Sequence, residues 1–116
     1  RAPPRAVTLR TRMNFFSLSL SHHTAAVSLR ERFAVSDVQA EAVMRALREA
    51  AGLEEIVLLS TCNRLEVYGV AQDPAAAMET VVAGLQRRAG RAAEFARFTG
   101  EGSVHHLFRV AAGLDS

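Results

Sequence analysis

The chain has 116 residues, 49% of them hydrophobic, enough for one core and for one domain as the default. No uncharged apolar run reaches the length of a membrane span, and the single cysteine excludes an internal disulfide and a cysteine-rich zinc site while fitting a reducing, cytosol-like compartment. The formal net charge is +2, but Arg1, Arg5, Arg10 and Arg12 all precede Met13 and no acid does; from Met13 onward the balance is −2, so global charge gives no argument for nucleic-acid binding.

Residues 1–12 contain Pro3-Pro4 and little periodicity, and read as a disordered leader, most simply upstream sequence translated ahead of Met13; residues 13–116 read as the domain. Phe16, Leu18 and Leu20 alternate with Ser17 and Ser19, the period of a half-buried strand. Those serines, and the lack of a small-residue cleavage pattern behind them, argue against a secretory signal. His22-His23-Thr24 reads as a loop and Leu29 to Phe33 as a short helical turn. Ser36 opens a helix with Gln39 in capping-box position, Ala42, Val43, Ala46, Leu47 and Ala50 form its apolar stripe, and Gly52 ends it.

Ile56 to Leu59 is a continuous apolar run, which predicts a strand buried on both faces. Leu65 to Val70 alternates Leu65 and Val67 against Glu66 and Tyr68, a second strand. Ser60 to Arg64 lies between the two, a polar cluster held at its strand end by a central strand. Asp73-Pro74 is an N-cap followed by proline, Met78, Val81, Val82 and Leu85 follow at helical spacing, and Gly90 stops that helix. Phe95 to Thr99 reads as a short strand, Gly100 and Gly102 as a turn, and Ser103 as the cap of a last helix with Val104, Leu107, Phe108 and Ala111 toward the core. The order predicts an α+β fold, a ferredoxin-like split βαβ sandwich with an added C-terminal helix.

Cys62 stands out for its setting. A lone cysteine is usually a small buried hydrophobe. Cys62 instead sits among Ser60, Thr61, Asn63 and Arg64, outside the apolar run, which predicts an exposed thiol at the mouth of the sheet. A thiol is mostly protonated near neutrality, and a cation such as Arg64 two residues on favours the nucleophilic thiolate. The histidines come as His22-His23 and His105-His106. At about 100° per residue, His106 points about 200° from Val104, away from the apolar stripe. It therefore reads as a solvated-face histidine or, more sharply, as part of a second surface facing Cys62 or a neighbouring domain. The spacing of Cys62 and the histidines matches no metal site. Gly100-Glu101-Gly102 begins like a dinucleotide fingerprint, but His105 occupies the position of the third glycine, so no nicotinamide site is read here.

Four stretches together resemble the N-terminal catalytic domain of glutamyl-tRNA reductase: Ser21 to Arg32, similar to that family's His-Lys-Thr-Ala-Pro segment and the helix start after it; Leu58 to Arg64, similar to its nucleophile motif; Glu66-Val67-Tyr68, similar to the strand that follows; and His106 to Ser116, similar to its histidine-to-serine helix. His23 and Ala26 depart from the usual lysine and proline. The resemblance implies that the Cys62 thiolate attacks the ester joining glutamate to tRNA, leaving a glutamyl thioester that NADPH reduces to glutamate-1-semialdehyde for tetrapyrrole synthesis. It implies catalytic roles for Cys62 and His106. It assigns substrate binding to His22, Thr61, Asn63, Arg64 and Ser116, with Arg64 pairing the glutamate side-chain carboxylate. NADPH would bind the full-length enzyme outside this chain, which is read as truncated before the nucleotide-binding and dimerisation domains, and no metal is implied. The expected partner is glutamyl-tRNA, in a cytoplasmic, membrane-free homodimer that hands its product to the next pathway enzyme. Two other readings stand beside this one: a cysteine-dependent acyl-transfer or esterase unit acting alone, and a ferredoxin-like module that binds RNA or a protein partner with Cys62 merely structural.

Overall fold

The computed structural model describes residues 14–100 together with Gly102 and His106. Its elements are β1 (Phe15–Ser21), α1 (Val27–Phe33), α2 (Asp37–Ala51), β2 (Glu55–Ser60), β3 (Arg64–Val70), α3 (Pro74–Ala89) and β4 (Ala96–Thr99). The strands form one antiparallel sheet in the order β2-β3-β1-β4, with β3 and β1 central, which is the expected split βαβ arrangement. Gly102 and His106 have helical backbone. The leader at 1–12, the Ser103 cap and the apolar stripe of the last helix lie outside the described residues.

Local chemistry sets the helix ends. The Ser36 hydroxyl accepts from the Gln39 N–H at 3.4 Å and donates to Gln39 Oε1 at 3.1 Å, closing the first turn of α2. Asp73 accepts from the Ala76 N–H at 3.1 Å, with Pro74 in the first turn of α3. Gly52 and Gly90 end α2 and α3 at φ of 64° and 70°, a left-handed turn that a Cβ would strain. One face of the sheet carries Phe16, Leu18 and Leu20 from β1 and Leu65 and Val67 from β3, all buried with Leu47 of α2 and Met78, Val81, Val82 and Leu85 of α3. Phe33 and Phe95 meet edge to face at 5.6 Å between ring centroids. Among the described residues no helix is long and apolar enough to cross a membrane.

Two strand readings need correction. β2 is an edge strand, not one buried on both faces: Ile56 and Leu58 pack on the core, but Val57 is 58% and Leu59 40% exposed. An apolar run shows hydrophobicity, not which strands lie alongside it. The Ser60–Arg64 cluster accordingly joins an edge strand to a central one. The converse holds for β1, where alternation predicts a half-buried strand and Ser17, Ser19 and Ser21 are buried along with Phe16, Leu18 and Leu20; β3 beside it is likewise buried at all seven residues.

Phe16 pairs across the sheet with Gly69, and its ring lies over that glycine: a Cβ on Gly69 would stand 2.5 Å from Phe16 Cζ and 2.7 Å from Cε2. Phe16 is wholly buried, so moving its ring would disturb the packed core. Gly69→Ala is therefore expected to lose about 1–3 kcal/mol in urea unfolding through overpacking; an unchanged midpoint would show that the ring has room to move.

Candidate active site

Cys62 is the middle residue of a three-residue hairpin loop, Thr61 to Asn63, between β2 and β3. The loop is closed by the Thr61 N–H donating to the Arg64 carbonyl at 2.9 Å. The Thr61 side-chain oxygen accepts from the Asn63 N–H at 3.2 Å and the Arg64 N–H at 3.3 Å. Both lone pairs of that oxygen are thus engaged, and its hydroxyl proton is left as a donor. Thr61, Cys62 and Asn63 are all exposed, as the polar setting of the cysteine predicts. Arg30 of α1 reaches the other side of the loop, Nη1 donating to the carbonyls of Cys62 at 3.4 Å and Asn63 at 3.1 Å.

On the two central strands the face of the sheet opposite the helices is polar and buried, while Val57 and Leu59 of β2 stand exposed on the same face. Arg64, Glu66 and Tyr68 share it because residues two apart in a strand point the same way, and Ser21, Ser19 and Ser17 lie opposite them on β1. The Glu66 side chain has no exposed surface. Its Oε1 accepts from the Tyr68 hydroxyl at 2.7 Å and from His106 Nε2 at 2.8 Å. Its Oε2 accepts from the Ser19 hydroxyl and from Arg64 Nη1 at 3.4 Å. A carboxylate here can only accept, and four groups converge on it, His106 donating in the tautomer that carries its proton on Nε2. The imidazole also stacks on Phe98 of β4, with ring centroids 4.3 Å apart and planes 12° from parallel. Arg64 is 6% exposed, and its Nη2 is a buried nitrogen with no hydrogen-bond partner among the described residues. An unpaired buried donor on a cation is costly, so the position favours an incoming anion.

Arg64 and His106, far apart in sequence, are thus brought together through Glu66. This corrects the solvated-face reading of His106. The ring is only 6% exposed, because it meets Glu66 and Phe98 on the sheet; the apolar stripe from which its direction was reckoned lies outside the described residues. His22 is exposed on the turn after β1, its ring 3.9 Å from that of His23. Since Ser21 pairs with Arg64, that turn and the Cys62 loop share one end of the sheet. Ser116 lies outside the described residues. Sequence reading missed Glu66 and Arg30. Strand alternation assigns Glu66 to water, and the signal that speaks against this is the run of small serines on β1, which leaves room for a buried polar layer. Among the described residues no group of three or more His, Cys, Asp or Glu could hold a metal ion.

The family model for the N-terminal domain of glutamyl-tRNAGlu reductase matches residues 18–116. Glutamyl-tRNA reductase of Syntrophotalea carbinolica is 41% identical over 110 residues, covering 90% of this chain and 25% of that protein. That of Alcanivorax borkumensis is 40% identical over 106 residues, with the same coverage. The solved structure of glutamyl-tRNA reductase from Methanopyrus kandleri superposes with a TM-score of 0.67 at 31% identity, over 90% of this chain and 23% of that one. The chain spans about a quarter of the length of the relatives it matches. With a match that runs through the hairpin loop, the buried carboxylate and His106, the chain belongs to the glutamyl-tRNA reductase N-terminal domain family.

Proposed function

We propose that this chain carries out the acyl-transfer half of the glutamyl-tRNA reductase reaction, with Cys62 as nucleophile. The observation that carries the reading is an exposed thiol on a hairpin loop whose next strand begins with a buried, half-paired arginine. A planar guanidinium with one arm on Glu66 and Nη2 unpartnered among the described residues suits the side-chain carboxylate of a glutamyl ester. The RNA-binding alternative is weaker here, because the sheet face that would read bases is buried at Ser17, Ser19, Glu66 and Tyr68.

In this mechanism the Cys62 sulfur attacks the ester carbonyl carbon. A C–S bond forms, the C–O bond to the terminal ribose breaks, and the ribose oxygen leaves with a proton. His106, held in one orientation by Glu66 and Phe98, is assigned the handling of that proton. Thr61 and Asn63 on the loop, with His22 on the adjoining turn and Ser116, are assigned hydrogen bonds to the glutamyl group. The product on this chain is a glutamyl thioester at Cys62.

The family reading implies that NADPH then reduces the thioester. The described residues do not fit a dinucleotide: the sheet is antiparallel throughout, and Gly100 follows a four-residue edge strand instead of opening a parallel strand–turn–helix unit. No hydride step is assigned to them. The reading also carries glutamyl-tRNA as substrate, a homodimeric complete enzyme that hands its aldehyde to the next enzyme, and a cytoplasmic location, where an exposed lone thiol stays reduced.

Incubated with glutamyl-tRNA and resolved by intact-protein mass spectrometry, the chain is expected to gain a glutamyl adduct that Cys62→Ala lacks. Deacylation of the tRNA should accelerate only with the wild type. Identical behaviour of two folded proteins sinks the nucleophile assignment. Glu66→Ala strands the Arg64 cation in a buried site and is expected to cost roughly 3–5 kcal/mol in urea unfolding. Glu66→Gln keeps the shape but cannot accept from four donors, and should cost about 1–3 kcal/mol and slow acyl transfer. Losses below about 0.5 kcal/mol for both would mean that the carboxylate is not the hub of the network.

A further inference from the structure

Among the described residues three arginines donate to main-chain carbonyls more than thirty positions away, whereas Arg48 and Arg97 reach carbonyls five and two residues off. Arg32 Nε and Nη2 reach the Ala89 carbonyl at 3.3 and 2.9 Å, and Arg88 Nη1 reaches that of Ala34 at 3.3 Å. Both of these serve the ends of helices, where a cation complements the exposed carbonyls. Arg30 differs in what it holds. Its Nε donates to the Ala25 carbonyl at 3.3 Å, in the turn after β1, while its Nη1 donates to the carbonyls of Cys62 and Asn63. A single guanidinium therefore spans the two turns at the site's end of the sheet. The Ala25 turn is itself fixed to β1, the Ala25 N–H donating to the Ser21 carbonyl at 2.8 Å.

The hairpin does not need Arg30 in order to form. The Thr61–Arg64 main-chain bond closes it, and the Thr61 side chain satisfies the N–H groups on its inner side. What Arg30 adds is the orientation of the two peptide planes on either side of Asn63, whose carbonyl oxygens both point at one planar donor. The first of those planes follows Cys62, so it limits how the cysteine's Cα–Cβ bond can rotate about the loop. We propose that Arg30 is a positioning residue for the nucleophile, aiming the Cys62 thiol by tethering its loop to α1 and to the turn that carries His22; this rests on Cys62 being the nucleophile. Arg30 acts through the loop and makes no contact with the reacting atoms. The gain is one of pre-organisation, where a displacement of about 1 Å can cost on the order of a hundredfold in rate.

The test compares wild type with Arg30→Ala, Arg30→Lys and Arg32→Ala, the last removing a similar arginine-to-carbonyl contact away from the loop. Single-turnover acyl transfer from glutamyl-tRNA is followed over a range of substrate concentrations, and amide hydrogen exchange is followed at residues 61–64. Arg30→Ala is expected to lower the limiting rate roughly 10- to 100-fold with the half-saturating concentration nearly unchanged. Exchange at residues 61–64 should quicken, because the loop is freed. Arg30→Lys should recover part of the rate, since a point donor reaches one carbonyl and not the fork. Arg32→Ala should match wild type in both readouts. The proposal is overturned if Arg30→Ala transfers the acyl group at the wild-type rate, if its exchange at 61–64 is unchanged, or if Arg32→Ala slows the reaction equally. If wild type itself forms no Cys62 adduct, the nucleophile reading fails instead, and the exchange measurement alone decides whether Arg30 orders the loop.

Discussion

A carboxylate in the middle of a sheet is tolerable only when donors occupy it, and Glu66 meets that condition with four: Tyr68, Ser19, Arg64 and His106. The arrangement follows from register. Ser19 stands opposite Glu66 on β1, Tyr68 and Arg64 flank it on the same face of β3, and Phe98 of β4 supplies the ring on which His106 stacks. A slip of one residue between β1 and β3 would turn this face toward the helices and place Phe16, Leu18 and Leu20 on the polar side. The polar layer and the apolar core thus enforce the same pairing from opposite faces.

The network also sets where the reactive groups stand. Arg64 is the first residue of β3, so the charge that fixes its side chain is carried by the strand that follows the Cys62 loop. His106 comes from far along the chain, and its bond to Glu66 holds the imidazole against the sheet. The thiol lies outside this buried layer, on an exposed loop, where a bulky aminoacyl ester can reach it. In the proposed reading, burial is reserved for the groups that recognise and orient, exposure for the group that reacts.

Much of the scaffold was legible in the sequence because its signals are local. Ser36, Gly52, Asp73 and Gly90 mark helix ends through contacts within a few residues, and the structure places them there. The exposure of Cys62 was legible for the same reason, from its polar neighbours. What escaped depends on partners far along the chain. The run Ile56 to Leu59 gives no sign that β2 has a neighbour on one side only. Glu66 looks like a water-facing strand residue until β1 and His106 are laid over it. For His106, helical geometry left a solvated face and a second surface both open, and only the sheet, through Glu66 and Phe98, shows which surface the ring meets.

The central claim is that Cys62 and Arg64 form one site, a nucleophile beside a carboxylate receptor. It is tested most directly by comparing the rate of acyl transfer to Cys62 from glutamyl-tRNA with that from glutaminyl-tRNA, whose side chain has nearly the same shape and no charge. A charge-assisted contact worth about 1.5–3 kcal/mol predicts that the wild type prefers the glutamyl ester by roughly 10- to 150-fold, and that Arg64→Gln removes the preference. Equal rates for the two esters with the wild type would contradict the account.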